Sequence, residues 1–293
     1  MGPNGAPLEW ERKRLDFRTY LRGAAANTFS QYLEWTHFLP SAVLNLVDIF
    51  LKITIFFLMA RYVEAGAAPL LAEYGGSYTA YMVLGVVLNL FLNDTMNVYY
   101  QAYAAGYWSS SFEVYNAFPV GIPAYMTGSI IFRYAFSVLY FAVFMLLGVT
   151  VFHVDVHLAN PGAALTLTIL GVAAVTGLGL IAASTFTLMN AKNWSNPVSW
   201  LVDFLVGLVA GVYFPPQVMP VWLQRVGAAL PQTHVYRAMR LALLKGDGLL
   251  SPTVWPEVKV LVAMTAVLLP VGIWLFRLSL IKGEKDGALT RWN

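Results

Sequence analysis

Five ionisable side chains interrupt stretches that are otherwise apolar enough to enter a bilayer: Asp48, Lys52, Asp94, Arg133 and Asp203. A charge at that depth is expensive unless it is paired or hydrated, so each marks either an ion pair or a wet pathway. Asp48 and Lys52 are four apart with the acid on the N-terminal side, which puts them on one helix face in the favourable order for an intrahelical pair. Asp94 and Arg133 fall at compatible depths in successive segments and suit a second pair. Asp203 has no partner in sequence and is expected to face a wet cavity or a neighbouring arginine. The carboxylates could carry a proton or cation pathway; the favoured reading is that the charges fix helix register and line an inner vestibule. His153, Asp155 and His157 offer two imidazoles at a spacing that could hold a divalent ion on a helix. The Asn160-Pro161-Gly162 sequence that follows argues instead for a polar interfacial turn.

Other chemistry is missing from the sequence. No G-x-x-x-x-G-K-[ST] phosphate loop, H-E-x-x-H or G-x-S-x-G occurs, so nucleotide hydrolysis by a phosphate loop, zincin chemistry and the nucleophile elbow have no support. There is no cysteine, which excludes disulfides, thiolate metal sites and cysteine nucleophiles. With 293 residues, 58% hydrophobic and 11% charged, the chain is far from a water-soluble composition. Its net charge of +3 demands neither nucleic acid nor an acidic substrate.

The elements that must position these residues are read from hydropathy. About 20 apolar residues cross a bilayer as a helix. Six segments qualify: residues 40–60, 78–98, 125–151, 163–189, 198–214 and 258–276. The expected fold is therefore an all-α integral membrane protein with six transmembrane helices. Ahead of them, Arg12, Lys13, Arg14, Arg18 and Arg22 alternate with Trp10, Leu15, Phe17, Leu21 and Phe29, the pattern of an amphipathic helix lying in the interface and not of a cleaved leader. Residues 215–245 are largely apolar yet broken by Pro215, Pro216, Pro220 and Pro231. Neither half is long enough to cross, so two short helices over 221–230 and 233–245 are expected to enter the outer leaflet and return, with Arg225, Arg237 and Arg240 near the outer headgroups. The chain thus divides into a cytoplasmic interfacial segment at 1–39, a transmembrane domain at 40–276 and a cytoplasmic tail at 277–293. Cations at both ends, including Arg277, Lys282, Lys285 and Arg291, place both termini in the cytoplasm of a multi-pass plasma-membrane protein. Gly207 and Gly211 form a small-x-x-x-small spacing suited to a helix crossing. Tyr99, Tyr100, Tyr103, Tyr107 and Trp108 read as an interfacial aromatic belt.

Two stretches carry a family resemblance. After the second span, Gly106-Tyr-Trp-Ser-Ser-Ser-Phe112-Glu113-Val-Tyr115-Asn-Ala-Phe118-Pro119 resembles the G-T-x-E-x-L-x-x-x-P stretch of type-2 ATP-binding-cassette permeases. Gly211-Val-Tyr-Phe-Pro215, Met219-Pro220-Val-Trp222-Leu and Pro231-Gln-Thr-His-Val-Tyr236-Arg237-Ala-Met-Arg240 are similar to that family's segment after the fifth helix. Tyr107 and Trp108 stand near the usual threonine. The resemblance implies an export permease, nearest to multidrug and antibiotic-resistance permeases, that is not itself an enzyme. It implies two partner ATPase subunits that hold the ATP and magnesium, a second permease copy, and no cofactor or metal in this chain. Residues 102–124 would form the coupling loop, with Phe112, Glu113, Tyr115, Phe118 and Pro119 contacting the ATPase. Pro215, Pro220, Pro231, Arg237 and Arg240 would form a re-entrant gate at the exit. A hydrophobic drug-like molecule or lipid is the expected cargo. A glycan pathway lined by Tyr and Trp, and an ion-coupled carrier using the three aspartates, are the competing readings.

Overall fold

The computed structural model describes residues 17–37, 39–67, 71, 73–75, 77–116, 121–152, 154, 160–189 and 196–285. Ten helices order these residues: α1 (Phe17–His37), α2 (Leu39–Ala67), α3 (Tyr78–Trp108), α4 (Ser111–Asn116), α5 (Gly121–Thr150), α6 (Pro161–Leu188), α7 (Pro197–Val209), α8 (Val221–Ala228), α9 (Pro231–Leu244) and α10 (Trp255–Lys285). Five of them, α2, α3, α5, α6 and α10, are long and apolar enough to cross a membrane. The chain is an all-α membrane protein.

Local chemistry sets several boundaries. Ser77 caps α3 by accepting from the Ala80 amide at 3.2 Å. Asn196 caps α7 by accepting from Val198 and Ser199, with Pro197 at the first helical position, where its missing N–H leaves no bond unmade. Pro220 and Pro231 stand immediately before α8 and at the start of α9, in the places expected for the two short helices.

The fifth expected span is shorter than its hydropathy window. α7 has 13 residues, about 20 Å at 1.5 Å per residue, against about 30 Å of hydrocarbon. It stops because Gly211 adopts φ 80°, a left-handed conformation that glycine takes without Cβ strain, and Pro215 and Pro216 follow. Gly207 and Gly211 therefore do not share a helix face, and the small-residue crossing expected from their spacing does not exist. A close crossing is built elsewhere: a Cβ on Gly272 of α10 would lie 2.5 Å from the Gly177 carbonyl of α6, so only bare backbone lets these two helices pack.

α3 is the central helix, packed on α2, α5, α6 and α9, while α6 and α10 form the most extensive helix pair. α3 also runs ten residues beyond its apolar window. Of the aromatic cluster expected as an interfacial belt, three members point inward: Tyr100, Tyr103 and Tyr107 are buried and pack on Phe186 of α6, and Tyr103 also meets Phe276 of α10. Here aromatic edges and faces fill the space between helices, and the Tyr103 hydroxyl meets Thr187 at 2.7 Å.

The bundle has two distinct ends. At one, α4 bridges α3 and α5. α1 lies against the first turns of α5 through Tyr20–Thr127, Asn27 to the Tyr125 carbonyl at 2.8 Å, and Thr28 to the Gly128 carbonyl at 3.1 Å. The last turns of α10 reach the same end, where Lys282 points at the Leu188 carbonyl. At the other end, α9 closes over α3, α6 and α10, and α8 packs on α7 and α9.

Candidate functional site

α4 is only six residues long, too short to hold itself in water, so its position depends on what it is fastened to. Phe112 is 1% exposed; it sits on Gly106, where any side chain would collide with its ring, and packs against Tyr103 and Tyr125. Tyr115, three residues on and on the same face, packs on Tyr125 and donates its hydroxyl to the side-chain Oδ1 of Asn27 in α1 at 3.2 Å. The outward face carries Val114, 57% exposed. Phe112 and Tyr115 are thus anchors within this chain and not a free apolar patch. A short amphipathic helix can serve one partner with each face, and the sequence alone does not say which face is turned inward. Glu113 lies in α4, but its side chain falls outside the described residues, as do Phe118 and Pro119.

The intramembrane charges divide into three settings. Asp48 and Lys52 form the expected pair at 2.6 Å, on an exposed face of α2. The expected Asp94–Arg133 pair is not formed. Asp94 accepts from Ser137 at 3.4 Å, while Arg133 donates to Gln101 at 2.9 Å, one turn before Ser137 on α5. The depths are matched as expected, but Gln101 occupies the guanidinium and separates the two charges. Asp203 lies close to Asn93 and Asn97 of α3. Asn97 also donates to Asn93 at 2.9 Å, and Tyr236 of α9 donates to Asn89 at 2.9 Å. Asn89, Asn93 and Asn97 thus form an i, i+4, i+8 stripe facing α7 and α9. That stripe was missed in the charge-based sequence reading, although its period is visible in the sequence.

Arg240 is 2% exposed and turned into the protein, the main departure from the expected arginine placement. Its guanidinium donates to the carbonyls of Gly211 at 2.7 Å, Val212 at 3.0 Å and Tyr81 at 3.1 Å, and stacks 3.5 Å from the centroid of the Tyr81 ring. Tyr81 itself donates to the Gly211 carbonyl at 2.8 Å. The chain leaves its helix at Gly211, so these carbonyls have no partner one turn on; Arg240 supplies the missing donors. Pro215 and Pro220 follow this break, and Pro231 begins the helix that carries Arg240.

Arg237 lies one turn earlier at the molecular edge. It bridges Glu73 at 2.9 Å and Glu257 of α10 at 3.0 Å. Glu257 also receives His234 at 2.6 Å, and the other ring nitrogen of His234 meets the Ala228 carbonyl at 2.9 Å. Both partners are acceptors, so only the doubly protonated ring satisfies both. Burial disfavours that charged ring, but the hydrogen bond to Glu257, the Ala228 carbonyl and the Glu257 charge outweigh it together with the opposing Arg237 charge, and the His234 pKa rises from 6.5. A raised pKa means that the link between the α8–α9 turn and α10 is complete below about 6.5 and is lost as pH rises through the raised value. Hydrogen exchange at residues 221–234, corrected for intrinsic rate, should show added protection at pH 6 relative to pH 8. His234→Gln should flatten that difference.

His153 and His157 lie outside the described residues. Among the described residues no group of three or more His, Cys, Asp or Glu could hold a metal. Residues 105–244, from the last turn of α3 to the end of α9, match the family model described as ABC-2 type transporter. The chain carries an ABC-2 type transporter domain. No curated protein matches it.

An ABC-2 type domain is the membrane component of a transport complex and not its ATPase, and the match implies ABC ATPase subunits as partners. The match begins at the aromatic end of α3, so α4, the α7 break, Arg240, His234 and Arg237 lie inside it, while Glu73 precedes it and Glu257 follows it. The Asn89–Asn93–Asn97 stripe and Asp94 lie before it.

Proposed function

We propose that this ABC-2 permease is an exporter of hydrophobic drug-like or lipid molecules, working as a homodimer on which two ATPase subunits dock. Both termini and α4 lie on the cytoplasmic side of the plasma membrane, residues 215–245 form the re-entrant gate on the outer side, and the ATPases hold the ATP and magnesium. The supporting observation is α4 itself: a short helix fixed from within by Phe112 and Tyr115, with Val114 turned outward. An outward ridge on a fixed base is what a groove on a partner can grip. Because Tyr115 is bonded to Asn27, motion of α4 would reach α1 as well as α3 and α5. The polar stripe of α3 with Asp203 gives the inner half a wet face along which an amphiphile could move.

The test is co-expression with candidate ABC ATPases, followed by reconstitution of any complex that copurifies. Drug-like amphiphiles or lipids should raise its ATP hydrolysis above the basal rate. Stimulation by glycans alone would change the cargo class, and transport driven by a proton gradient without any ATPase would overturn the reading.

A further inference from the structure

Two adjoining hollows open beside α3, one of about 330 Å³ among α1, α2, α3 and α5 and one of about 760 Å³ between α3 and α5. They share Gln101 and Arg133. Trp35 and Phe136, with ring centroids 4.7 Å apart, and Phe132 wall the smaller one.

Arg133 has no carboxylate within ion-pair distance among the described residues. Its Nη1 donates to Gln101, and its Nε is buried without a hydrogen-bond partner. The Nε–H and Nη2–H of an arginine point the same way and form a fork that takes two oxygens of a phosphate or carboxylate. Gln101 holds the opposite edge, so the fork is oriented and its inner donor is unfilled. A buried donor left unmatched costs about 1–3 kcal/mol, more for a charged group, which makes an anionic ligand favourable at this place.

Depth selects the kind of anion. α5 has 30 residues, about 45 Å, and overhangs a core of about 30 Å by about 7 Å at each end when centred. Arg133, twelve residues from the start of α5, then lies about 11 Å below the boundary, and its side chain leans back toward the helix start. The guanidinium comes within about one helical turn of the headgroup layer, in reach of a lipid phosphate and out of reach of bulk water. Trp35, Phe132 and Phe136 line the cleft beside it, an apolar wall for acyl chains. Asp94, held by Ser137 deeper in the cleft, repels an anion from that end.

We propose that this cleft binds one anionic phospholipid per chain from the cytoplasmic leaflet, its phosphate on the Arg133 fork and its acyl chains along α5. The proposal rests on the cytoplasmic placement of α4 and the start of α5, and not on ATPase docking or cargo.

The full chain in detergent, titrated with phosphatidylglycerol or with phosphatidylcholine of the same acyl chains, is read by native mass spectrometry. One phosphatidylglycerol should be retained at concentrations where phosphatidylcholine is not, and glycerol phosphate should not compete. Arg133→Gln should weaken retention at least tenfold, whereas Arg225→Gln should leave it unchanged. Equal retention of both lipids by the unaltered chain, or undiminished retention by Arg133→Gln, overturns the proposal. Competition by glycerol phosphate would also overturn it, since the site would then take free phosphate. Should Arg133→Gln fail to purify, the two-lipid comparison on the unaltered chain decides alone. Copurification with an ATPase is scored separately, so a failed lipid site leaves the permease reading standing.

Discussion

Arg240→Ala should leave little folded protein, a larger loss than any other single exposed or buried arginine would cause. The side chain is buried and its hydrogen bonds all go to backbone carbonyls, those of Tyr81, Gly211 and Val212. Hydrogen bonds to a charged donor contribute about 1.5–3 kcal/mol each, and the relief of no longer burying an ion offsets only part of that, so a net loss on the order of 3 kcal/mol is expected. The loss falls on the point where α7 ends, and α9 is fastened to α3 through the same group. Arg240→Lys keeps the charge but offers one ammonium where a planar fork reached Tyr81, Gly211 and Val212, so it should be intermediate. Thermal unfolding in detergent, followed by size-exclusion profile, ranks the three proteins. Equal melting temperatures for all three would mean that the break at Gly211 is held by something else.

Phe112→Ala should separate ATP hydrolysis from transport. Removing a fully buried phenylalanine costs about 3–5 kcal/mol at its site. A six-residue helix cannot absorb that, whereas the bundle formed by α3, α5, α6 and α10 does not depend on it. α4 should therefore come loose while the permease still folds. In the reconstituted complex, basal ATP hydrolysis should persist, its stimulation by cargo should fall at least tenfold, and the melting temperature of the permease should shift only slightly. Phe112→Leu, which keeps most of the volume over Gly106, should retain most of the coupling. A variant that melts far earlier, with coupling intact in the surviving fraction, would reassign Phe112 to the stability of the bundle.

The long helices were legible because a crossing helix needs only one-dimensional information, a run of apolar residues of sufficient length. Residues 40–60, 78–98, 125–151, 163–189 and 258–276 each fall largely within α2, α3, α5, α6 and α10. Pro220 and Pro231 marked α8 and α9 for an equally local reason. What was not legible depended on packing. Arg240 and Arg237 are three residues apart in the same apolar context, yet one is buried on carbonyls and the other is half-exposed between two glutamates. Arg133 met Gln101 instead of Asp94, because a neutral partner at hydrogen-bonding distance leaves no mark in a scan for charges. The crossing read from Gly207 and Gly211 needed the helix to continue, and the positive φ of Gly211 ended it. Phe112, expected to face a partner from the coupling loop, turns inward on α4, since the space above Gly106 that receives it comes from the tertiary fold.

The outward face of α4 is proposed as the surface that an ATPase grips. A photo-crosslinking amino acid at Val114, which is exposed and makes none of the anchoring contacts, tests it directly. In the purified complex with its ATPase, irradiation should join the permease to the ATPase subunit, and the same amino acid at Trp222, exposed at the opposite end of the bundle, should give no such product. An ATPase that copurifies in full yet never crosslinks to position 114 would contradict the account.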